Sequence, residues 1–549
     1  MWKRLFTLWA TVFTVMRGMS VEPELCSYSV ALPQRNLGQA KDLLLDVSDP
    51  SSDKYGQYLS RDEIWSMVGP SSELINTVEE WFNTQTETQE VKYFGDMLKV
   101  KAPCGIDYWE KIPTNIRKKV DFIETRVPKN FTHLPISFSR NGVDPGFCPR
   151  EVLDYLYNMK DLVTTSHNVS AGAIEYQGQS GFSEDDLVNL EELDGIPANN
   201  VSSGHIVGTD GDPDVESQLD IQMLGLTAVG ADLWYWDDDG WLYSFATSFF
   251  NTKNVPDVIS MSWGWATDSQ CDITQCGNLT SLEYAQRVDA EYVKLGLRGV
   301  TVVVASGDAG APGRTNEDCS DSGRPVNPVM PGSSPWVTSI GATFVADDSK
   351  KRFNEIETNS KKRFHKTGSS DFCQQNTCAT GTAQYVTNVN DTGWTSGSGF
   401  GFEETPKWQK SQVSQYLKDA ETLPSKFNSK GRSYPDFVMV GHNLPVMDGG
   451  FIEGVDGTSA SSPLAAGVLT LLNDNQVLHG KPKLGFVNPL LYKMGNDVFT
   501  DIPVGDTMGT EVEWCGQDNG YIATSAFDAV TGWGYPDVKK MIQWLDKNT

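Results

Sequence analysis

The chain has 549 residues, 39% hydrophobic and 21% charged, with 16 tryptophans, a composition that builds cores and excludes a disordered chain. Its 44 Lys+Arg against 72 Asp+Glu leave a formal net charge of −28, so the surface repels nucleic acid and anionic membranes and suits an acidic compartment. This length points to more than one domain, or to one large domain with an appendage.

Residues 1–20, MWKRLFTLWATVFTVMRGMS, set Lys3 and Arg4 ahead of an apolar stretch from Leu5 to Met16. A membrane span takes about 20 apolar residues. The stretch therefore reads as a secretory signal, with the small residues Gly18 and Ser20 before a cut near Val21. No later segment carries a long apolar run, so no membrane span is expected. The expected route is secretory, ending in a lysosome, an acidic vacuole or outside the cell. Asn-x-Ser/Thr sequons at Asn130, Asn168, Asn200, Asn278 and Asn390 are glycosylation candidates in that compartment. Nine cysteines include two close pairs, Cys271/Cys276 and Cys373/Cys378, which suit local disulfides better than zinc. Cys319 and Cys515 could bridge at long range. An odd count leaves at least one cysteine over, and the connectivity stays open.

Residues 21–127 alternate helical and strand-like segments, among them "NLGQAKDLLLDVSD", "SELINTVEEWFNTQ" and "VKYFGDMLKVKA". They form a small α+β domain. Residues 128–148 have few periodic apolar positions and read as an exposed linker where a maturation cut would fall. From 149 to 549 buried strands ("PDVISMSWG", "GVTVVVASGDAG") alternate with helices ("VESQLDIQMLGLTAVG", "SSPLAAGVLTLLNDNQVL"). In the first helix Val215, Leu219, Met223 and Leu226 fall on one stripe. This is the pattern of a doubly wound parallel sheet, with its active-site loops at the carboxyl ends of the strands. The charged, aperiodic "DDSKKRFNEIETNSKKRFHKTGSS" reads as a solvated surface insertion.

The chemistry centres on "VDGTSASSPLAAG", where Ser459 lies between a turn and a helix. A helix N-terminus favours developing negative charge, which suits a nucleophile; an ordinary N-cap is the plain alternative. The chain has six histidines: His205 in a strand, His133 and His167 flanking the linker, and His365, His442 and His479 in polar loop contexts. None is placed as a base. Glu216 and Asp220, four apart on an otherwise apolar helix, share one face. Two such carboxyls titrate apart, one holding a proton while the other can accept one from a serine. Asp308 follows a buried strand in a Gly-rich turn, where a protonated carboxyl could donate to an oxyanion.

Taken together these residues resemble the sedolisin family of serine-carboxyl peptidases. The matching motifs are Glu216-x-x-x-Asp220, Ser306-Gly-Asp308 and Gly457-Thr-Ser-Ala-Ser461. "SMSWG", "MPGSSPWVTSIGAT", "SGSGFGFEETPKWQ" and "GRSYPDFV" match in the same order, and "VSDPSSDKYGQYLSRDEI" is similar to the family's activation propeptide. The resemblance implies a subtilisin-like doubly wound α/β catalytic domain preceded by a small α+β, ferredoxin-like propeptide. It implies Ser459 as nucleophile, Glu216 as general base, Asp220 as the group that orients it, and Asp308 in the oxyanion hole. It also implies an acid optimum, since an ordinary glutamate titrates near about 4.3. Substrates would be peptides or unfolded proteins, with the propeptide as intramolecular inhibitor and a monomeric enzyme. Tripeptide release from free N-termini is expected, as in the family's tripeptide-releasing lysosomal members; endopeptidase action is the alternative. "FTDIP" and "TSAFDAVTGWG" are similar to the family's calcium loop. One structural Ca2+ would be held by Asp501 and Asp528 with the carbonyls of Ile502, Thr524 and Ala526. Two departures stand out: Thr524 and Ala526 replace the family's glycines, and Asp456 replaces its serine. Readings from other classes are a non-catalytic calcium-binding glycoprotein on this scaffold and a subtilisin using His205.

Overall fold

The computed structural model describes residues 24–125, 146–176, 181–208, 211–315, 319, 325–346, 371–511, 513–516 and 519–549. The expected signal, Asn130, His133, most of the 128–148 linker, His365 and the charged insertion at 347–370 lie outside the described residues.

The first unit is built from β1 (Leu25–Ala31), α1 (Leu37–Ser48), α2 (Arg61–Val68), α3 (Ser72–Asn83), β2 (Glu90–Phe94), β3 (Met97–Pro103) and β4 (Ile123–Glu124). Helix α1 forms because Ala40, Leu44 and Val47 recur on one face, and α2 starts at a capping box between Ser60 and Glu63. The strands pair antiparallel in the order β2-β3-β1-β4, the ferredoxin-like arrangement expected from the sequence. A disulfide between Cys26 and Cys104 ties the start of β1 to the chain just past β3.

The second unit contains β5 (Ser170–Tyr176), β6 (Ile206–Val207), α4 (Val215–Thr227), β7 (Asp232–Asp238), α5 (Leu242–Asn251), β8 (Val258–Met261), α6 (Ser281–Leu297), β9 (Thr301–Ala305), β10 (Thr338–Val345), β11 (Gln384–Val386), β12 (Phe437–Val440) and α7 (Thr458–Leu478). The strand order is β11-β10-β9-β8-β5-β7-β6, with β12 also paired to β10. Every pairing is parallel except that of β11. Chain direction across the sheet reverses at β5, and a doubly wound sheet opens its crevice at such a point. Helices α4 and α7 pack together on the sheet, while α5 and α6 pack together elsewhere and receive the first unit through α1.

The stripe expected on α4 is not what the helix presents. Every residue from Glu216 to Thr227 is buried, polar ones included, because the helix runs between the sheet, α7 and a hairpin at 444–455. Its amides are satisfied inside: Gln222 exchanges two 2.8 Å hydrogen bonds with the Met447 backbone, and Gln218 donates to Asp186 at 3.0 Å.

The two units share a core. Ala40, Leu44, Val47, Ile64 and Met97 belong to one buried cluster with Phe245, Tyr284, Tyr292 and Leu295. Polar groups cross the same interface. Asp96, buried at the β2–β3 turn, accepts from Arg287 at 2.7 Å and from Lys294 at 3.1 Å. Glu124 accepts from the backbone N–H groups of Trp241 (2.9 Å) and Ser244 (3.0 Å) at the start of α5. Three further disulfides are Cys271–Cys276, Cys373–Cys378 and Cys319–Cys515, and Cys148 is free and buried.

Candidate active site

Helix α7 begins after Gly457, whose φ of 142° is a conformation that residues with a side chain rarely adopt. Ser459 is therefore in the first turn, 3% exposed, where backbone N–H groups have no partner within the helix. Helix α4 packs along α7 and carries Glu216, whose buried carboxyl lies close to the Ser459 hydroxyl.

One turn further along α4, Asp220 is fully buried and accepts from Ser262 Oγ at 2.8 Å. That hydroxyl lies 3.2 Å from the Ser459 carbonyl oxygen. Asp220 also neighbours the buried carboxyl of Glu175, which accepts from the Trp263 indole at 2.7 Å. Burial is the first cause that pushes Glu175, Glu216 and Asp220 well above the ordinary carboxyl range. The Asp220 charge adds to the rise at Glu216, and the Ser459 hydroxyl opposes it. Glu175 thus joins Glu216 as a buried carboxyl beside Asp220, a residue that the sequence reading passed over. The signal was present: Glu175 is the lone acid in the otherwise buried strand "SAGAIEY".

Asp308 stands just past β9. Its Oδ1 accepts from the Thr458 N–H (2.7 Å) and hydroxyl (2.8 Å), and the Thr458 hydroxyl accepts from Gly307 N–H at 3.0 Å. These bonds fix one carboxyl oxygen and leave Oδ2 free to act toward a substrate. Burial raises this carboxyl, while Arg314 and the Thr458 bonds pull it back. A cavity of about 30 Å3 beside it is lined by Ser262, Gly264, Trp265, Val329 and Arg314. Ser459, Glu216, Asp220 and Asp308 therefore converge where α7, α4 and the end of β9 meet.

His205 and His442 are engaged elsewhere. His205 precedes β6, stacks on Trp234 at 3.9 Å and pairs with Asp232 at 2.8 Å, at the start of β7 rather than at its carboxyl end. His442, expected in a polar loop, is instead buried with its Nδ1 2.7 Å from Asp456. Asp456 also accepts from Asn443 N–H at 2.7 Å, so this departure from the family pattern anchors the turn into α7.

Among the described residues no group of three or more His, Cys, Asp or Glu is poised to hold a metal. Asp501 and Asp528 form a smaller oxygen-rich site. Asp501 Oδ2 accepts from Ala526 N–H at 2.8 Å and Asp528 Oδ2 from Thr524 N–H at 2.9 Å. Burial raises both carboxyls, and the Asp501 charge adds to the rise of Asp528 to about 7. Asp501 Oδ1 and Thr524 Oγ1 are buried without a hydrogen-bond partner. Ala526 adopts φ 66°, the left-handed shape a glycine would supply. The unpartnered Asp501 Oδ1, beside Asp528 whose Oδ1 already accepts from Val530 N–H and Thr531, is an oxygen donor that fits a hard cation. Elsewhere, Asn168, Asn200, Asn278 and Asn390 are exposed, and among the described residues no helix is long and apolar enough to cross a membrane.

Comparison with known proteins matches residues 20–105 to the pro-kumamolisin activation domain and residues 205–479 to the subtilase family. Physarolisin of Physarum polycephalum is 34% identical, covering 96% of this chain and 95% of that protein. Tripeptidyl-peptidase 1 of Mus musculus is 29% identical, covering 96% of this chain and 92% of that protein. Among solved structures, Pseudomonas sedolisin, a serine-carboxyl proteinase complexed with pseudo-iodotyrostatin, matches 75% of this chain and all of its own length. Its TM-score is 0.53 at 22% identity, a likeness of fold.

Proposed function

This chain belongs to the sedolisin family of serine peptidases and carries that family's activation domain, and from that premise we propose that it is an acid-acting peptidase working through Ser459, Glu216, Asp220 and Asp308. The observation that carries the reading is the placement of the buried Glu216 carboxyl, on a buried helix, close enough to the Ser459 hydroxyl to feel it. Glu216 takes the proton from Ser459 as its oxygen attacks the peptide carbonyl. Asp308 donates through Oδ2 to the oxyanion, and the proton on Glu216 passes to the leaving amine. Water then releases the acyl group by the same path in reverse. Asp220, which accepts from Ser262 and neighbours Glu175, adds to the proton affinity of Glu216.

Residues 21–127 act as the intramolecular inhibitor, a role supported by the core they share with α6, and maturation cuts within 128–148 to leave 149–549. Tripeptide release from free N-termini follows from likeness to a tripeptidyl-peptidase. The test compares one peptide with a free and with an acetylated N-terminus: cleavage of the free form alone supports tripeptide release, and equal cleavage of both refutes it. Ser459→Ala should abolish both peptide cleavage and self-release of the first unit.

The residues at the C-terminal loop fit one Ca2+, with Asp501 and Asp528 as carboxylate ligands and Ile502, Thr524 and Ala526 as carbonyl ligands. Bound there, the ion would offset the repulsion between the two carboxyls and hold the loop. The enzyme is a monomer of the secretory pathway working in a lysosome, an acidic vacuole or outside the cell. The exposed Asn168, Asn200, Asn278 and Asn390, together with Asn130, are its glycosylation sites.

A further inference from the structure

Asp308 is useful to the reaction only while it keeps a proton on Oδ2, because Oδ1 is already committed to Thr458. The groups facing this carboxyl are few. Glu216 faces it from α4, across Ser459. On the other side Arg314 Nη2 stands 3.9 Å from Oδ2, and Arg314 Nε donates to Glu511 at 2.5 Å. A cation so placed favours the ionised, non-donating form of Asp308, and the carboxylate behind it cancels part of that field.

This array is built into the fold. The turn ahead of Arg314 is held by Gly310 N–H on the Thr395 carbonyl (2.9 Å) and by Ala311 N–H on the Thr507 carbonyl (3.0 Å). A side chain at Gly310 would run into the Gly509 carbonyl, so two loops close on each other here. Glu511 belongs to the second loop, which the Cys319–Cys515 disulfide fastens. Arg314 is 24% exposed and Glu511 30%, half-shielded positions where a charge pair still acts on its neighbours.

We propose that Arg314 and Glu511 are positioning residues that set the upper pH limit of the reaction by deciding how long Asp308 retains its donating proton. The proposal rests on the role given to Asp308 above. Its signature is that the two members of one ion pair act in opposite directions. Removing the Arg314 charge lets Asp308 hold its proton to higher pH. Removing the Glu511 charge leaves Arg314 unopposed and drives the proton off sooner. A merely structural ion pair would respond alike to the loss of either partner.

The experiment measures kcat/KM against pH for the full chain after acid maturation, on a peptide with no ionisable side chain, with thermal unfolding of each variant alongside. Arg314→Met should move the alkaline limb upward by about one pH unit, Arg314→Lys should return it toward the parent, and Glu511→Gln should move it downward. Limbs that shift in the same direction, or that stay in place while activity falls, overturn the proposal. Should Arg314→Met fail to fold, the near-isosteric Glu511→Gln decides: a downward limb supports the proposal and an unmoved one refutes it. Asp308→Asn separates the underlying assignment, because an amide donates at every pH. Its profile should lose the alkaline limb. If that limb persists, Asp308 is not the oxyanion donor, and the role given to it fails on its own account.

Discussion

The carboxyls of Asp220 and Glu175 are buried neighbours behind the group that faces Ser459, close enough that one ionisation is spread over the two. Their shared negative charge therefore sits partly at a distance from Glu216. Glu175→Gln leaves an amide that donates to Asp220 and concentrates the charge there, next to Glu216. The acid limb of the kcat profile should move to higher pH, with kcat about tenfold lower at pH 4 as Glu216 is held protonated. An unmoved acid limb with normal kcat would remove Glu175 from the site.

Acid should stabilise the folded chain. Burial raises Glu124, Asp194 and Asp289 to about 7 and Glu191 to about 8. A carboxyl whose folded value is raised contributes stability that is complete below its unfolded value, near 4, and is lost as pH climbs through the folded one. For Glu124 the rise from 4.5 to about 7 is worth about 3 kcal/mol. Asp96 runs the other way, held far below the ordinary range, so its contribution falls away only in stronger acid. In the Ser459→Ala chain, which cannot cut itself, the melting temperature should be higher at pH 5 than at pH 8. A rise in the opposite direction would contradict the burial of these carboxyls.

Asp96 offers a test of how the first unit is held. Arg287 is nearly buried and Lys294 completely so, and both donate to Asp96. Asp96→Ala takes away one carboxylate that Arg287 and Lys294 share and leaves Glu291 to pair both, so the cost stays below that of about 3–5 kcal/mol for a buried pair that loses its only partner. The zymogen should melt at lower temperature and lose its propeptide more readily at neutral pH. Replacing Asp96 and Lys294 together by apolar residues should restore part of the loss, as measured by thermal unfolding of the Ser459→Ala background.

Calcium removal bears on the C-terminal loop. A chelator should lower the melting temperature of the native chain, and added Ca2+ should restore it. Asp501→Asn should abolish that response, since Asp501 Oδ1 is the buried oxygen without a protein partner. A chelator response that survives this change would locate the ion elsewhere.

Much of this molecule was legible in one dimension. Apolar runs such as 301–305 became β9, in the parallel sheet, and the α+β alternation before 128 became a ferredoxin-like unit. The motifs around Glu216, Asp308 and Ser459 could be found because each is local: a helix-turn spacing, a turn after a strand, a serine before a helix. What stayed hidden needed partners from distant segments. His442 does lie in a loop, but its burial could not be read because Asp456, its partner, lies 14 positions on. Glu175 went unread, and only the packing of α4 against β5 makes it a buried carboxyl beside Asp220. Arg314 and Glu511 are 197 residues apart and meet through a closure of two loops that no periodicity encodes. Side-chain pattern decides which segments become strands and helices, since burial acts residue by residue along each of them. Which charges face one another, and hence which carboxyl keeps its proton, depends on distances and dielectric that exist only once the chain has folded.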